Sequence, residues 1–421
     1  MLESSSPRDR KPILAVFLSD AISLSGNAIA AVAIPWFVLD LTDSPALTGV
    51  TAFFTVLPTV IALFLGGTIV DRLGFRTTSV IADLASGAAV AAIPVLHLTV
   101  GIEFWQLVVL VFVGALLDAP GMTARESLVP DLAELAGMRL ERATGIVQGI
   151  HRGSLLVGAP LAGGLIAIIG PANVLWLDAG TFLISAAIVR IWAPNIRHRA
   201  EGETPGRYVT ELLEGLRFVF RDPVIRAVTI TVMLTNFLDA PLFAVTLPVF
   251  AREAFGSAVQ LGLMIGMFGA LSLLGAIVFS IIGHRLPRRM TFVVAFIFVS
   301  LPYLVLSTLP SFPVALAAMA LFGLASAPLN PIINTVYYER VPAAMRGRVL
   351  GLSNAAAFAT MPAGALAAGF LIEAIGVGNM LLVTGLCYLA ITSAGLLVPA
   401  FREMERRPAG ELQKDLGGDL G

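Results

Sequence analysis

Apolar residues run through this chain in long blocks, each roughly the 20 residues that carry a helix across a bilayer. Such blocks lie near 12–39, 46–69, 77–98, 104–124, 144–169, 173–193, 226–250, 257–282, 290–309, 313–337, 349–373 and 378–399. The pattern predicts an all-α membrane protein of twelve transmembrane helices in two six-helix halves. Several blocks are interrupted by proline, at Pro35, Pro58, Pro94, Pro160, Pro241, Pro302 and Pro362. Membrane bundles tolerate such breaks where a neighbour or cavity water satisfies the freed backbone groups. The first block contains Asp20 and is too long for a cleavable signal, so it is expected to remain as span one.

Composition agrees with this pattern. Of 421 residues 57% are hydrophobic and 13% charged, where a soluble chain carries about 25% charged residues. The formal net charge of -1 gives no reason to expect a nucleic-acid partner. The single cysteine, Cys387, excludes an internal disulfide.

Arginine placement sets the expected orientation, since cytoplasmic segments carry the excess of Lys and Arg. With both termini inside, the cytoplasmic segments hold Arg8, Arg10 and Lys11; Arg72 and Arg76; Arg125, Arg139 and Arg142; and the arginines of the 194–225 segment. They also hold Arg285, Arg288, Arg289, Arg340, Arg346, Arg348 and the basic residues of the tail, leaving Arg252 outside. The long polar stretch divides the chain into a half at 1–193, a linker at 194–225, a half at 226–399 and a tail at 400–421. Within the linker, Val209, Leu212, Leu213, Leu216 and Val219 recur at helical spacing before Asp222-Pro223, which predicts an amphipathic helix at the inner membrane surface. Asp71-Arg72-Leu73-Gly74 is echoed at His284-Arg285-Leu286-Pro287, and Val129-Pro130 at Val341-Pro342, at nearly equal offsets. That spacing points to a duplicated unit, as in many secondary transporters.

Ionisable groups inside spans are costly and therefore mark function. Asp20 shares a helix face with Ser23 and Asn27 and has no cation within its own helix; it is read as a proton-coupling residue. Asp118 in span four and Arg152 in span five lie at comparable depth. Two readings stand for Asp118, a structural pair with Arg152 and a proton site. Asp239 in span seven either carries a proton or caps a helix restarting after Ala240-Pro241. Asn330 and Asn334 flank Pro331 and either satisfy the kink or line a cavity. Asp83 and Asp178 lie nearer span ends.

The stretch Gly67-Thr68-Ile69-Val70-Asp71-Arg72-Leu73-Gly74-Phe75-Arg76 resembles the signature between the second and third helices of the major facilitator superfamily. Arg125-Glu126-Ser127-Leu128-Val129-Pro130, Glu214-Gly215-Leu216-Arg217-Phe218 with Asp222-Pro223, and Val341-Pro342 through Arg346-Gly347-Arg348-Val349 are similar to the branch of macrolide efflux proteins and enterobactin exporters. Pro160-Leu161-Ala162-Gly163-Gly164 resembles the end of an antiporter signature. The resemblance implies that Gly67, Asp71, Arg72, Gly74 and Arg76 form a conformational latch, Asp71 meeting the start of span eleven near Gly347–Gly351, where a helix dipole favours an anion. A simple topological role is the other reading of Arg72 and Arg76. The resemblance further implies that spans one, four, seven and ten line the substrate site. Asn27, Trp36, Asn236, Phe243, Phe322, Asn330 and Asn334 are then the lining candidates, a mainly apolar set suited to amphiphiles.

The energy source follows by exclusion. With only Lys11 and Lys414 there is no phosphate-binding Gly-x-x-x-x-Gly-Lys loop. The four histidines lack metal-ligand spacing, and no Gly-x-Ser-x-Gly elbow occurs. The expectation is a proton-coupled exporter of lipophilic small molecules in the inner membrane, working by alternating access. Its partners are a small-molecule substrate, protons and the lipid bilayer, with no cofactor or metal and the chain acting as a monomer. A uniporter, a membrane-embedded enzyme and a non-transporting receptor are the alternatives.

Overall fold

The computed structural model describes residues 9–194, 205–342 and 345–404, leaving aside the side chains of 62–72, 205–212, 396 and 397. All regular structure among them is helical. The first six helices are α1 (Lys11–Thr42), α2 (Pro45–Leu73), α3 (Phe75–Thr99), α4 (Phe104–Leu135), α5 (Leu140–Ile169) and α6 (Pro171–Trp192). Next come α7 (Pro205–Arg221), α8 (Pro223–Pro241), α9 (Leu247–Phe255), α10 (Ala258–Ile282), α11 (Arg288–Leu306) and α12 (Phe312–Ser326). The chain ends with α13 (Leu329–Arg340), α14 (Arg346–Ala359), α15 (Met361–Ile375) and α16 (Val377–Leu397). Eleven helical segments among the described residues are long and apolar enough to cross a membrane. With α2, whose apolar stretch is Pro45–Ile61, they account for the twelve expected spans.

Local chemistry sets the ends. Glu103 and Gln106 form a reciprocal capping box at the start of α4. Asp222 accepts from the backbone N–H groups of Val224 and Ile225 (2.9 and 3.0 Å), so it caps α8 with Pro223 in the first turn. Gly74, between α2 and α3, has φ 81°, a conformation that only glycine adopts without strain.

Contacts divide the chain into two units. Unit one comprises the segment through α6 together with Pro241–Gly269 and Ala365–Ala374. In it α1 packs on α5 and α6, α3 on α4 and α6, and α2 on α4. One apolar cluster joins the start of α1 (Ile13, Val16, Phe17) to Leu128 and Leu132 of α4, Ala143 and Val147 of α5 and Val189 of α6. Backbones approach closely at small residues. A side chain on Gly163 of α5 would overlap the Ala258 carbonyl, and one on Gly262 of α10 the Ala159 carbonyl. A Cβ on Gly49 of α2 would lie 2.9 Å from the Cα of Gly369 in α15. Arg252 of α9 donates to Asp40 and, at 3.3 Å, to Asp43. Glu373 accepts from Ser44 Oγ (2.6 Å) and the Ala46 N–H (3.0 Å) at the start of α2.

Unit two comprises Gly202–Ala240, Ala270–Gly364 and the chain from Ile375 onward. Here α11 packs on α12, α13 and α16, and the linker helix α7 on α14, with Arg348 donating to Glu214 (3.3 Å). Val219 of α7 is buried, whereas Leu213, Leu216 and Phe220 form an exposed apolar stripe. The broken spans are seven, ten and eleven. Span seven changes from α8 to α9 through a π-helical segment, Leu242–Thr246, after Pro241. Span ten is interrupted between α12 and α13 and span eleven between α14 and α15. Asn236 and Thr360 repair part of the last break by donating to the Ala357 carbonyl (both 3.1 Å).

Candidate functional site

Four helices of unit one bring polar side chains to one buried centre. The Arg125 side chain on α4 is fully buried. Its Nε donates to Asp20 Oδ1 of α1 (2.6 Å) and its Nη1 to Asp83 Oδ1 of α3 (2.7 Å). Nη1 also donates to Ser79 Oγ (3.2 Å), and Nη2 reaches Ser23 Oγ at 3.5 Å. Asp83 takes a further bond from Ser185 Oγ of α6 (2.6 Å), and the Ser185 hydroxyl lies 2.8 Å from that of Ser19. A planar guanidinium suits this position because its several donors leave in fixed directions and it retains its charge on burial.

The arrangement corrects one expectation and extends another. Arg125 is not a loop charge, because α4 continues to Leu135 and Arg125 lies within it. Asp20 has no cation within its own helix, but Arg125 reaches it from another. The continued apolar period at Ala124, Leu128 and Leu132 is the sequence signal that span four extends past Arg125. The pairing of Asp83 and the role of Ser185 carry no comparable signal.

About two turns before Arg125 on α4, Asp118 accepts from Asn27 Nδ2 of α1 (2.9 Å). The expected pair with Arg152 is not formed, and Oδ1 of Asp118 is buried without a hydrogen-bond partner. Asp20, Ser23 and Asn27 thus turn one common face of α1 toward α4. Asp178 of α6 sits behind the same stretch of α1, its Oδ1 also without a partner. Gly26 makes room for it: a Cβ there would lie 2.5 Å from that oxygen. On the neighbouring face, His151 of α5 lies 3.2 Å from Glu126. This region therefore holds four buried aspartates, Asp20, Asp83, Asp118 and Asp178, around one buried arginine.

Unit two buries a carboxylate differently. Asp239 of α8 accepts from Tyr303 of α11 (2.6 Å) on Oδ1 and from Tyr388 of α16 (3.1 Å) on Oδ2. The two phenol rings are stacked with centroids 5.8 Å apart. Asp239 does not cap a restarting helix, since the backbone passes from Pro241 into the π segment with no side-chain cap.

The remaining candidates are placed as follows. Trp36 is packed in the core of unit one and Phe322 in that of unit two, where Phe322 lies against Tyr303. Phe243 is half-buried and packs on Phe268. Asn330 and Asn334 are exposed on one face of α13. Arg76 donates to the Arg190 carbonyl at the end of α6, tying α3 to α6. The side chains of Asp71 and Arg72 and the surroundings of Gly67 lie outside what is described, as do the side chains of Val209 and Leu212 of the amphipathic series.

Comparison with known proteins places this geometry in context. The sequence matches the Major Facilitator Superfamily profile over residues 16–356 and again over 229–418. It is 32% identical over 404 residues to the multidrug efflux pump Tap of Mycolicibacterium fortuitum, covering 94% of this chain and 98% of that protein. Identity to Tap of Mycobacterium tuberculosis is 31% over 413 residues, 97% and 98% of the two chains. Macrolide efflux protein A of Streptococcus pyogenes is 20% identical, covering 93% and 96%. Among solved structures, the nucleoside transporter NupG superposes with a TM-score of 0.72 at 12% identity, covering 94% of this chain and 99% of that one. A D-xylose-proton symporter gives 0.72 at 15%, covering 94% and 98%.

Proposed function

The chain belongs to the major facilitator superfamily, and from that premise we propose that it is a secondary active efflux transporter exchanging protons for lipophilic or amphiphilic small molecules. It works by alternating access as a monomer in the inner membrane, without enzymatic activity. Residues 1–193 and 226–399 form its two halves, 194–225 the cytoplasmic linker and 400–421 a cytoplasmic tail. Likeness to Tap and to macrolide efflux protein A supports the direction and substrate class.

The observation that carries the proton reading is the shared guanidinium of Arg125. Asp20 and Asp83 divide one positive charge, while Asp118 and Asp178 have no arginine of their own. Four carboxylates and one cation in the membrane interior leave an excess of negative charge, which proton binding relieves at least cost. Asp83 is held by Ser185 as well as Arg125. Asp20 has one oxygen on Arg125 and the other unpartnered. A proton on Asp20 therefore removes the charged tie between α1 and α4, while Asp83 keeps α3, α4 and α6 joined. Proton loading is thereby converted into a weaker hold on one helix.

Asp20→Asn mimics the loaded state and cannot cycle. It is expected to abolish export driven by a pH gradient in proteoliposomes while sparing downhill exchange; uphill export by this variant would overturn the assignment. Orientation is tested separately. In a Cys387→Ala background, Ser257→Cys is expected to react with an impermeant thiol reagent in intact cells and Glu201→Cys is not. The reverse result would overturn the placement of both termini in the cytoplasm.

A further inference from the structure

The proton reading above uses unit one and leaves the buried carboxylate of unit two without a task. Asp239 has no cation beside it. Among the described residues the titratable groups facing it are Tyr303 from α11 and Tyr388 from α16, with no arginine, lysine or histidine in contact. The surrounding wall is aromatic: Phe322 of α12 lies against Tyr303 and Phe296 of α11 against Tyr388. Both tyrosines are fully buried. Asp239 is nevertheless well hydrogen-bonded, so it is not a packing error that a leucine would mend.

The hydrogen-bond chemistry of this trio differs from that around Arg125. A guanidinium only donates, so a carboxylate that takes a proton must abandon it. A phenol both donates and accepts. With Asp239 ionised, Tyr303 and Tyr388 each donate to one oxygen, which is the arrangement seen. With Asp239 protonated, its O–H donates to the Tyr388 oxygen, whose own hydrogen rotates away, and Tyr303 continues to donate to the other oxygen. No heavy atom moves and no buried carboxylate oxygen loses its partner. Both protonation states are satisfied in the same packing, as a reversible proton site requires and a purely structural carboxylate does not.

We propose that Asp239, with Tyr303 and Tyr388, is a second proton-binding site, loaded and unloaded once per cycle alongside the Asp20–Arg125–Asp83 cluster, whose own proton is obligatory for the cycle to turn, so that export is driven by two protons. The step is a proton taken up by a carboxylate oxygen from water on one side and returned to water on the other, with no other bond made or broken. The inference rests on the proton-exchange reading and adds the count and the place.

The test uses the full chain in proteoliposomes with ethidium as probe and the membrane potential clamped at zero. At steady state each pH unit across the membrane is expected to sustain an ethidium ratio of about a hundredfold in the wild type, and about tenfold in Asp239→Asn, since each proton carried contributes a factor of about ten. An equal slope in wild type and variant overturns the second site, whereas no slope in the wild type overturns proton-driven export itself. A second measurement does not depend on the asparagine variant folding or on ethidium being carried. In infrared spectra of the wild type, a protonated-carboxyl band should titrate with pH. Tyr388→Phe, which removes both the acceptor for that proton and a donor to the ionised carboxylate, should displace its midpoint. A band unmoved by Tyr388→Phe counts against the proposal.

Discussion

The two halves bury aspartate in opposite ways. In the first, Asp20 and Asp83 grip one arginine that four helices enclose, and the helices carrying them run unbroken past Pro35, Pro94 and Pro120. In the second, Asp239 rests on two phenols, and spans seven, ten and eleven are each interrupted. An ion pair in a low-dielectric interior fixes both geometry and charge state, because neither partner can lose its charge alone without stranding the other. A carboxylate on hydroxyl groups has its geometry fixed and its charge left free. One half is thus organised around an ion pair that fixes charge and geometry together, and the other around a carboxylate held on neutral hydroxyl groups.

Removing the arginine is the severest way to break this comparison. Arg125→Ala strands two buried carboxylates and is expected to cost about 3–5 kcal/mol, read as loss of monodisperse protein after detergent extraction. Arg125→Lys keeps the charge without the fork and should fall between alanine and wild type. If alanine is tolerated as well as lysine, the ion pair does not fix the charge and geometry of the cluster. Next in size is the glycine contact between α5 and α10. Gly262→Val overlaps the Ala159 carbonyl and is expected to cost roughly 1–3 kcal/mol of thermal stability. Gly164→Ala, whose added carbon meets nothing within 4 Å, should change stability by less than about 0.5 kcal/mol.

Tyr303→Phe tests the second half. It removes one neutral donor from a buried acceptor, worth about 1–2 kcal/mol, clearly less than Arg125→Ala. A cost as large as that of the arginine would mean that Asp239 is held as a permanent anion. A smaller effect again is expected for Asp222→Asn. It retains the cap on α8 and loses only the pair with Arg340 (3.1 Å), so a shift below about 1 kcal/mol should appear in a thermal melt. A larger shift would show that the loop before α8 is held by charge and not by its cap.

The twelve spans are legible in the chain because bilayer thickness imposes a length that no other selection imitates. The buried site is legible only in part. Asp20, Asp118 and Asp239 stand out as charges inside apolar runs, and the common face of Asp20, Ser23 and Asn27 follows from helical spacing. Their partners do not follow, since they come from other helices: Arg125 is 105 positions from Asp20, and Tyr303 and Tyr388 are 64 and 149 from Asp239. Reading arginines as topology markers actively conceals Arg125, because that rule assumes every such charge lies outside the bilayer. A tyrosine within an apolar run announces nothing until its hydroxyl is seen on a carboxylate.

Where α2 meets α15, Gly49 and Gly369 put bare backbone against bare backbone. Such a surface has no rotamers to freeze when it closes and none to release when it parts, so neither event carries a side-chain entropy term. Interlocked leucines would have to withdraw and re-seat in register at each separation. Smooth polypeptide slides and lifts without that delay. In mechanical terms the seam is built like a low-friction bearing.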